Sequence, residues 1–259
     1  MDVEIDLTKA AQDNANNYFS MSKKAKKKKE GAEEALKDLE KKLAERKRVG
    51  MESEPALKKV EKQEWSEKFR WFFASDGSLA IGGRDARQNE IIVSRYFEDN
   101  DLFFHADVFG ASVVVLKDGV DKIREIKEEV AQFAACYSRA WEQSATITVY
   151  SLVRANVSKS TQKGSIGTGS FLLSGEREWF KDVRLELCAF VKYDGENMQK
   201  LNIAPAATCA KLGINGVLIT PGNVKKSDAA KFISKALGYR NLDRIMQALP
   251  AGMFVVRKE

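Results

Sequence analysis

Histidine is almost absent from this 259-residue chain, with His105 standing alone, and there are only three cysteines and four prolines. A single histidine excludes multi-histidine metal centres. Cys136, Cys188 and Cys209 are far apart, odd in number and form no Cys-x-x-Cys pair. That pattern excludes a disulfide framework and a structural zinc site, and points to buried thiols in a reducing compartment. No serine or cysteine has the setting of an activated nucleophile. No apolar run approaches membrane-spanning length, and the acidic start from Met1 to Asp6 is unlike a signal peptide. These absences lead to the expectation of a cytoplasmic protein with no cofactor, no resident metal and no membrane partner.

What is present is charge. Charged residues make up 31% of the chain and the formal net charge is +6, which favours an anionic partner, nucleic acid before membrane. The charge is concentrated before residue 70, where the first proline is Pro55 and Ala, Lys, Glu and Leu dominate. Lys23, Lys24, Lys26, Lys27, Lys28 and Lys29 form a basic tract interrupted only by Ala25, the pattern of a solvated face or a nucleic-acid contact. The composition predicts a helix from about Leu7 to Arg48. Leu36, Leu39 and Leu43 are spaced as a short coiled-coil seam. Gly50 to Pro55 breaks it, and Leu57 and Val60 resume helical spacing up to Trp65. The expected organisation is an antiparallel helical arm over residues 1–68, or, because the seam is short, a single long helix that pairs with another chain, followed by a globular domain over residues 69–259.

The globular part begins where aromatics replace charged helix formers, at Phe69 to Phe73. Asp76-Gly77 reads as a hairpin turn, with Leu79 to Ile81 returning. A helix is expected from Arg84 to Phe97, and strands at 102–105 and 112–116. Asp121 to Trp141 reads as a capped amphipathic helix. Further strands are expected at 146–153, 169–173, 183–193 and 217–220, and helices at 227–237 and 241–249. Strands and helices mix without strict alternation, so the fold class is α+β, with a mixed, mostly antiparallel sheet and packed helices.

Gly82-Gly83 leads into Arg84, Asp85, Arg87, Gln88 and Asn89, and His105-Ala106-Asp107 follows after a short gap. Glycines at a strand end allow a sharp turn or close approach to a ligand. The donors beside them suit phosphate or sugar oxygens. The same residues also fit a strand–turn–helix junction with Asp85 helping the first turn. Lys159 and Lys163 make the loop before Gly164 to Ser170 cationic. That loop lacks the Lys-Ser/Thr ending of a triphosphate loop and reads as a flexible turn able to hold a backbone phosphate. Trp71, Trp141 and Trp179 read as core residues. Three functions compete: an RNA-binding module; a metal-assisted nuclease or hydrolase using Asp85, His105 and Asp107; and a protein-interaction scaffold.

Trp65 to Phe72, Ser75-Asp76-Gly77, Ile81 to Val93, His105-Ala106-Asp107, Ser138 to Trp141, Val157-Ser158-Lys159 and Thr168 to Leu172 resemble, in order, the NFACT-R domain of NEMF-type ribosome quality control factors. Asn14 to Phe19 and the following lysines resemble the family's middle coiled coil. The resemblance implies binding to the large ribosomal subunit carrying stalled peptidyl-tRNA, with tRNA and ribosomal RNA as partners. It implies tRNA recruitment for C-terminal tailing, with no conventional enzymatic role. A ubiquitin ligase or other quality-control partner on the coiled coil is a further expectation. Beginning inside the coiled coil implies a fragment of a longer protein, and the compact tail an archaeal-type member. Where the family carries Arg-Gly-Lys-Lys, this chain has Ser174 to Arg177. Arg84, Arg87 and Lys159 are therefore the leading RNA contacts.

Overall fold

The fold is that of a computed structural model, which describes residues 10–49, 64–161, 164–165, 167–193 and 199–258. The chain divides into two units, Met1–Glu61 and Lys62–Glu259. The first contains one long helix, α1 (Ala11–Val49). Almost every described side chain on it is exposed, including Lys23, Lys24, Lys26, Lys28, Lys29 and Leu36. Such a helix rests on high intrinsic propensity and on pairs one turn apart, such as Lys29 with Glu33 at 3.8 Å. The side chains of Lys27, Leu39 and Leu43, and the stretch carrying Leu57 and Val60, lie outside the described residues.

The second unit opens with a single 3-10 turn (Trp65–Lys68). Strands β1 (Arg70–Phe73) and β2 (Leu79–Gly82) form the expected hairpin. Its turn uses Gly77 at φ +85°, and the Asp76 carboxylate accepts from the Ser78 N–H at 2.9 Å. Then come α2 (Ala86–Arg95), β3 (Leu102–Ala106), β4 (Val114–Leu116), α3 (Arg124–Cys136) and β5 (Thr146–Val153). Two short ribbons follow, β6 (Val157–Ser158) with β9 (Leu172–Leu173) and β7 (Ser160–Thr161) with β8 (Gly164–Ser165). With β10 (Glu178–Arg184) the first sheet has the order β1-β2-β4-β3-β5-β10, antiparallel throughout. A second antiparallel sheet, β12-β11-β13-β14, comprises β11 (Leu187–Tyr193), β12 (Gln199–Pro205), β13 (Val217–Val224) and β14 (Phe254–Lys258). Helices α4 (Ala206–Lys211), α5 (Lys226–Leu237) and α6 (Leu242–Ala248) accompany it. The class is α+β.

Strand alternation divides the core. Phe72, Ala80, Leu102, Phe104, Ala106, Val149 and Phe180 face α3 and share one apolar cluster with the second sheet. Ile81, Phe103, Val113, Val115, Tyr150 and Leu152 face the other way, where Ile92 and Val93 of α2 cover them. Several boundaries differ from the sequence pattern. Arg84 and Asp85 precede α2 instead of opening it. The helix expected over 121–141 runs only from Arg124 to Cys136, and Ile123 at its start offers no side-chain cap. Ser138 then opens a separate 3-10 turn, its Oγ accepting from the Ala140 N–H at 3.2 Å. Trp141 is buried from that turn, so the apolar periodicity carried past the true helix end. The single strand expected over 183–193 is two strands in different sheets, joined at Leu185-Glu186. Leu185 and Leu187 are both buried, so hydropathy shows no seam there.

Candidate nucleic-acid interface

The junction between β2 and α2 is built by its polar residues. A Cβ on Gly83 would collide with Asn89 Oδ1, so glycine leaves room for that oxygen to accept from the Val113 N–H at 3.2 Å. Asp85 caps α2, its Oδ1 accepting from the Gln88 N–H at 2.8 Å. Gln88 in turn accepts from the Arg84 N–H at 3.0 Å and donates to the Lys68 carbonyl at 3.1 Å. The Arg84 guanidinium donates through Nη2 to the carbonyls of Phe69 at 3.0 Å and Glu67 at 3.3 Å. Burial lowers the Arg84 pKa. Arg87 is exposed.

Arg84, Asp85, Asn89 and His105 line one groove of about 450 Å³, whose far wall is Thr168 to Phe171. Gly169 adopts φ +77° and packs on α2, where a Cβ would stand 2.6 Å from that of Ala86. Its N–H donates to Glu90 Oε2 at 3.3 Å. Lys159 pairs with the same carboxylate at 3.2 Å, donates to the Gly167 carbonyl at 2.9 Å and lies 5.5 Å from the Phe171 ring centre. Lys159 therefore fixes the wall. Asp107 is exposed outside the lining, and Lys163 lies outside the described residues.

Beside the groove, three neighbouring strands place His105, Tyr150 and Trp179 opposite one another in register. They share the sheet face that α2 covers at its other end. The Tyr150 hydroxyl is 3.3 Å from His105 Nδ1. Burial lowers the His105 pKa, against the opposing pull of hydrogen bonding at the Ala106 and Ala111 backbone and of the Asp107 charge. The net effect favours the neutral ring. Arg177 lies over Tyr150 at 4.5 Å and over Trp179 at 5.6 Å. Trp179 is 40% exposed, and Phe109, on the groove's lip, is 86% exposed. Arg139 reaches the same lip, where a Cβ on Gly110 would lie 3.1 Å from its Nε.

The groove thus gathers Arg84, Asp85, Asn89 and His105, with Gln88 bracing its edge, while Arg87 and Asp107 stand apart. Sequence reasoning missed Phe109, Arg139, Tyr150 and Arg177, and took Trp179 for core. One signal was available for Trp179: it alternates with buried Phe180 along a strand. Ring faces flanked by guanidinium groups beside a donor-lined groove can stack bases and hold backbone phosphates. Among the described residues, no three His, Cys, Asp or Glu side chains gather as metal ligands, and no helix is long and apolar enough to cross a membrane.

Residues 68–175 match the family model described as the NFACT protein RNA binding domain. The groove lies inside that span, and Arg177 and Trp179 lie just beyond it. The chain is 35% identical over 209 residues to the archaeal Rqc2 homolog aRqcH of Methanocaldococcus jannaschii, covering 78% of this chain and 31% of that protein. It is 35% identical over 193 residues to the NEMF homolog of Drosophila melanogaster, covering 71% of this chain and 19% of that protein. With human ribosome quality control complex subunit NEMF the identity is 36% over 173 residues, covering 64% of this chain and 16% of that protein. The chain spans less than a third of the length of each of these relatives. It carries an NFACT RNA-binding domain and is a relative of the Rqc2 and NEMF ribosome quality control proteins.

Proposed function

We propose that the chain is the RNA-binding module of a ribosome quality control factor, and that RNA lies across the groove and the His105–Tyr150–Trp179 strip. The factor engages the large ribosomal subunit carrying stalled peptidyl-tRNA in the cytoplasm and supports tRNA recruitment for C-terminal tailing. The module performs no bond chemistry. The carrying observation is the strip itself: three rings across adjacent strands, with Arg177 over two of them and the outermost ring 40% exposed. Single-stranded or splayed RNA bases are recognised by such stacking surfaces, with nearby cations positioning the backbone. The α1 lysine tract supplies a second, sequence-independent contact to ribosomal RNA, and the coiled-coil segment recruits a quality-control partner such as a ubiquitin ligase. The nuclease reading has less support. Asp85 is committed to capping α2, and Asp107 stands outside the groove that holds His105.

The test is fluorescence anisotropy of the full chain with labelled tRNA and with a single-stranded RNA dodecamer, across a salt titration. Both should bind, with log K falling linearly against log salt, and the RNA should be recovered intact. Absence of binding at about 50 mM salt, where phosphate contacts are weakly screened, would sink the proposal.

A further inference from the structure

A second cleft, of about 240 Å³, opens where β1 meets β12 and α6. Its charged walls are Glu67, Lys68, Arg70, Arg84 and Arg244. Lys200 reaches Glu67 at 3.2 Å and Arg244 reaches it at 3.5 Å. The lining thus carries four cations, Lys68, Arg70, Arg84 and Arg244, and one carboxylate, Glu67. Burial is the main cause that lowers the Arg70 and Arg84 pKa values; Tyr137 opposes it at both and Asp85 at Arg70, while the Arg84 charge adds to the lowering at Arg70 and the Arg244 charge to that at Arg84.

Arg70 is only partly satisfied. Its Nη1 donates to the Gly83 carbonyl at 2.6 Å and to Ser112 Oγ at 3.2 Å, and its guanidinium lies 4.6 Å from the Tyr137 ring centre. Its Nε is buried with no hydrogen-bond partner among the described residues. A buried guanidinium N–H without an acceptor is rare and leaves this charge incompletely compensated. Guanidinium forks match the oxygens of a phosphate better than they match a single carboxylate oxygen.

We infer that this cleft is a phosphate-binding site, formed by Arg70, Arg84 and Arg244, in which Glu67 holds the cations in place while the site is empty. The volume lies below the range of about 300–1,000 Å³ typical of whole small-molecule sites, so the cleft takes a phosphate group and not an entire nucleotide. Trp71 and Leu201 on its wall offer apolar contact to whatever the phosphate is esterified to. The inference stands apart from the RNA reading of the groove, because Arg84 alone lines both cavities.

Inorganic phosphate is the first probe, followed by thermal melts of the full chain at constant ionic strength with chloride as the control. Phosphate should raise the melting temperature of the wild type beyond the chloride control. Arg244→Gln should weaken the phosphate affinity drawn from these melts about tenfold, the loss of one charge-assisted contact. Gln247→Glu, on the exposed side of α6 at the cleft wall, should weaken it similarly while leaving the core untouched. A 5′-phosphorylated RNA dodecamer and its unphosphorylated twin distinguish the sources. Preference for the phosphorylated strand, lost in Arg244→Gln, assigns the cleft to an RNA end; equal binding of both strands beside a retained phosphate response assigns it to a free phosphate. No stabilisation by phosphate over chloride, or an equal response in wild type and both variants, overturns the site.

Discussion

Replacing Trp179 by alanine separates stacking from charge at the strip. Trp179 ends the ring row on the edge strand β10, meets Tyr150 edge-to-face at 5.4 Å and keeps 40% of its surface in solvent. That free surface is what a base would cover. A stacked base contributes about 1–3 kcal/mol, so Trp179→Ala should weaken single-stranded RNA binding about 5- to 150-fold. Because the indole is uncharged, the salt slope should stay that of the wild type. Arg177→Gln is the complementary change: its guanidinium covers Tyr150 and Trp179 and also supplies a charge. Its loss should reduce the slope by about one unit. The assay is anisotropy with a labelled dodecamer at four or more salt concentrations, with urea unfolding as the control. Trp179→Ala should cost about 1–2 kcal/mol of stability from the area it buries, leaving the domain folded under binding conditions. An affinity within twofold of wild type at every salt concentration would refute the strip as the base contact. A Trp179→Ala slope lower than wild type would show that the ring merely holds Arg177.

The remaining expectations concern the junction, the histidine, the loop and the arm. Arg87→Ala should lower the RNA salt slope by about one with no change in urea midpoint. Arg84→Ala should also destabilise by about 1–2 kcal/mol, since it leaves the Glu67 and Phe69 carbonyls without that donor. Burial depresses the His105 pKa below its ordinary 6.5, so the unfolded chain binds a proton that the folded chain resists. The associated stability is present above pH 6.5 and lost on acidification; His105→Gln should flatten urea-derived stability between about pH 7 and pH 5. Gly169→Ala combines a left-handed backbone with a collision against Ala86, and should cost about 1–3 kcal/mol while weakening RNA binding. Alanines at Lys23, Lys24, Lys26, Lys28 and Lys29 should reduce co-sedimentation with large ribosomal subunits and its salt dependence, while thermal melts of the unit after Lys62 stay unchanged.

Much of the fold was legible because local chemistry and tertiary outcome agree. Asp76-Gly77 turns as its dipeptide predicts, and Thr146–Val153 is a strand over its full predicted length. The misses come where burial continues through a break in structure. Leu185 and Leu187 are buried on either side of the passage from one sheet to the other, so no polar residue punctuates it. Strands β12 and β14 went unpredicted because their burial is graded along the strand instead of alternating. Their exposed ends blur the period-2 pattern.

The site was legible in location and less so in role. Two glycines beside a dense polar run do mark a junction under constraint, yet most of that polarity is spent on the junction. Asp85, Gln88, Asn89 and Arg84 satisfy backbone groups at the start of α2, just before β1 and just before β4, and Lys159 satisfies the loop opposite. Hydrogen bonds already made to backbone are not available to a ligand, because binding must first break them, so such residues can offer only the donors left over. The rings with most free surface beside the groove are Phe109 and Trp179, with Arg177 over the second. They come from segments about seventy residues apart, brought together by sheet register, and a linear motif cannot display that register. The run at 82–90 therefore marks where the binding face is braced, and the strands across the sheet supply what it presents to RNA.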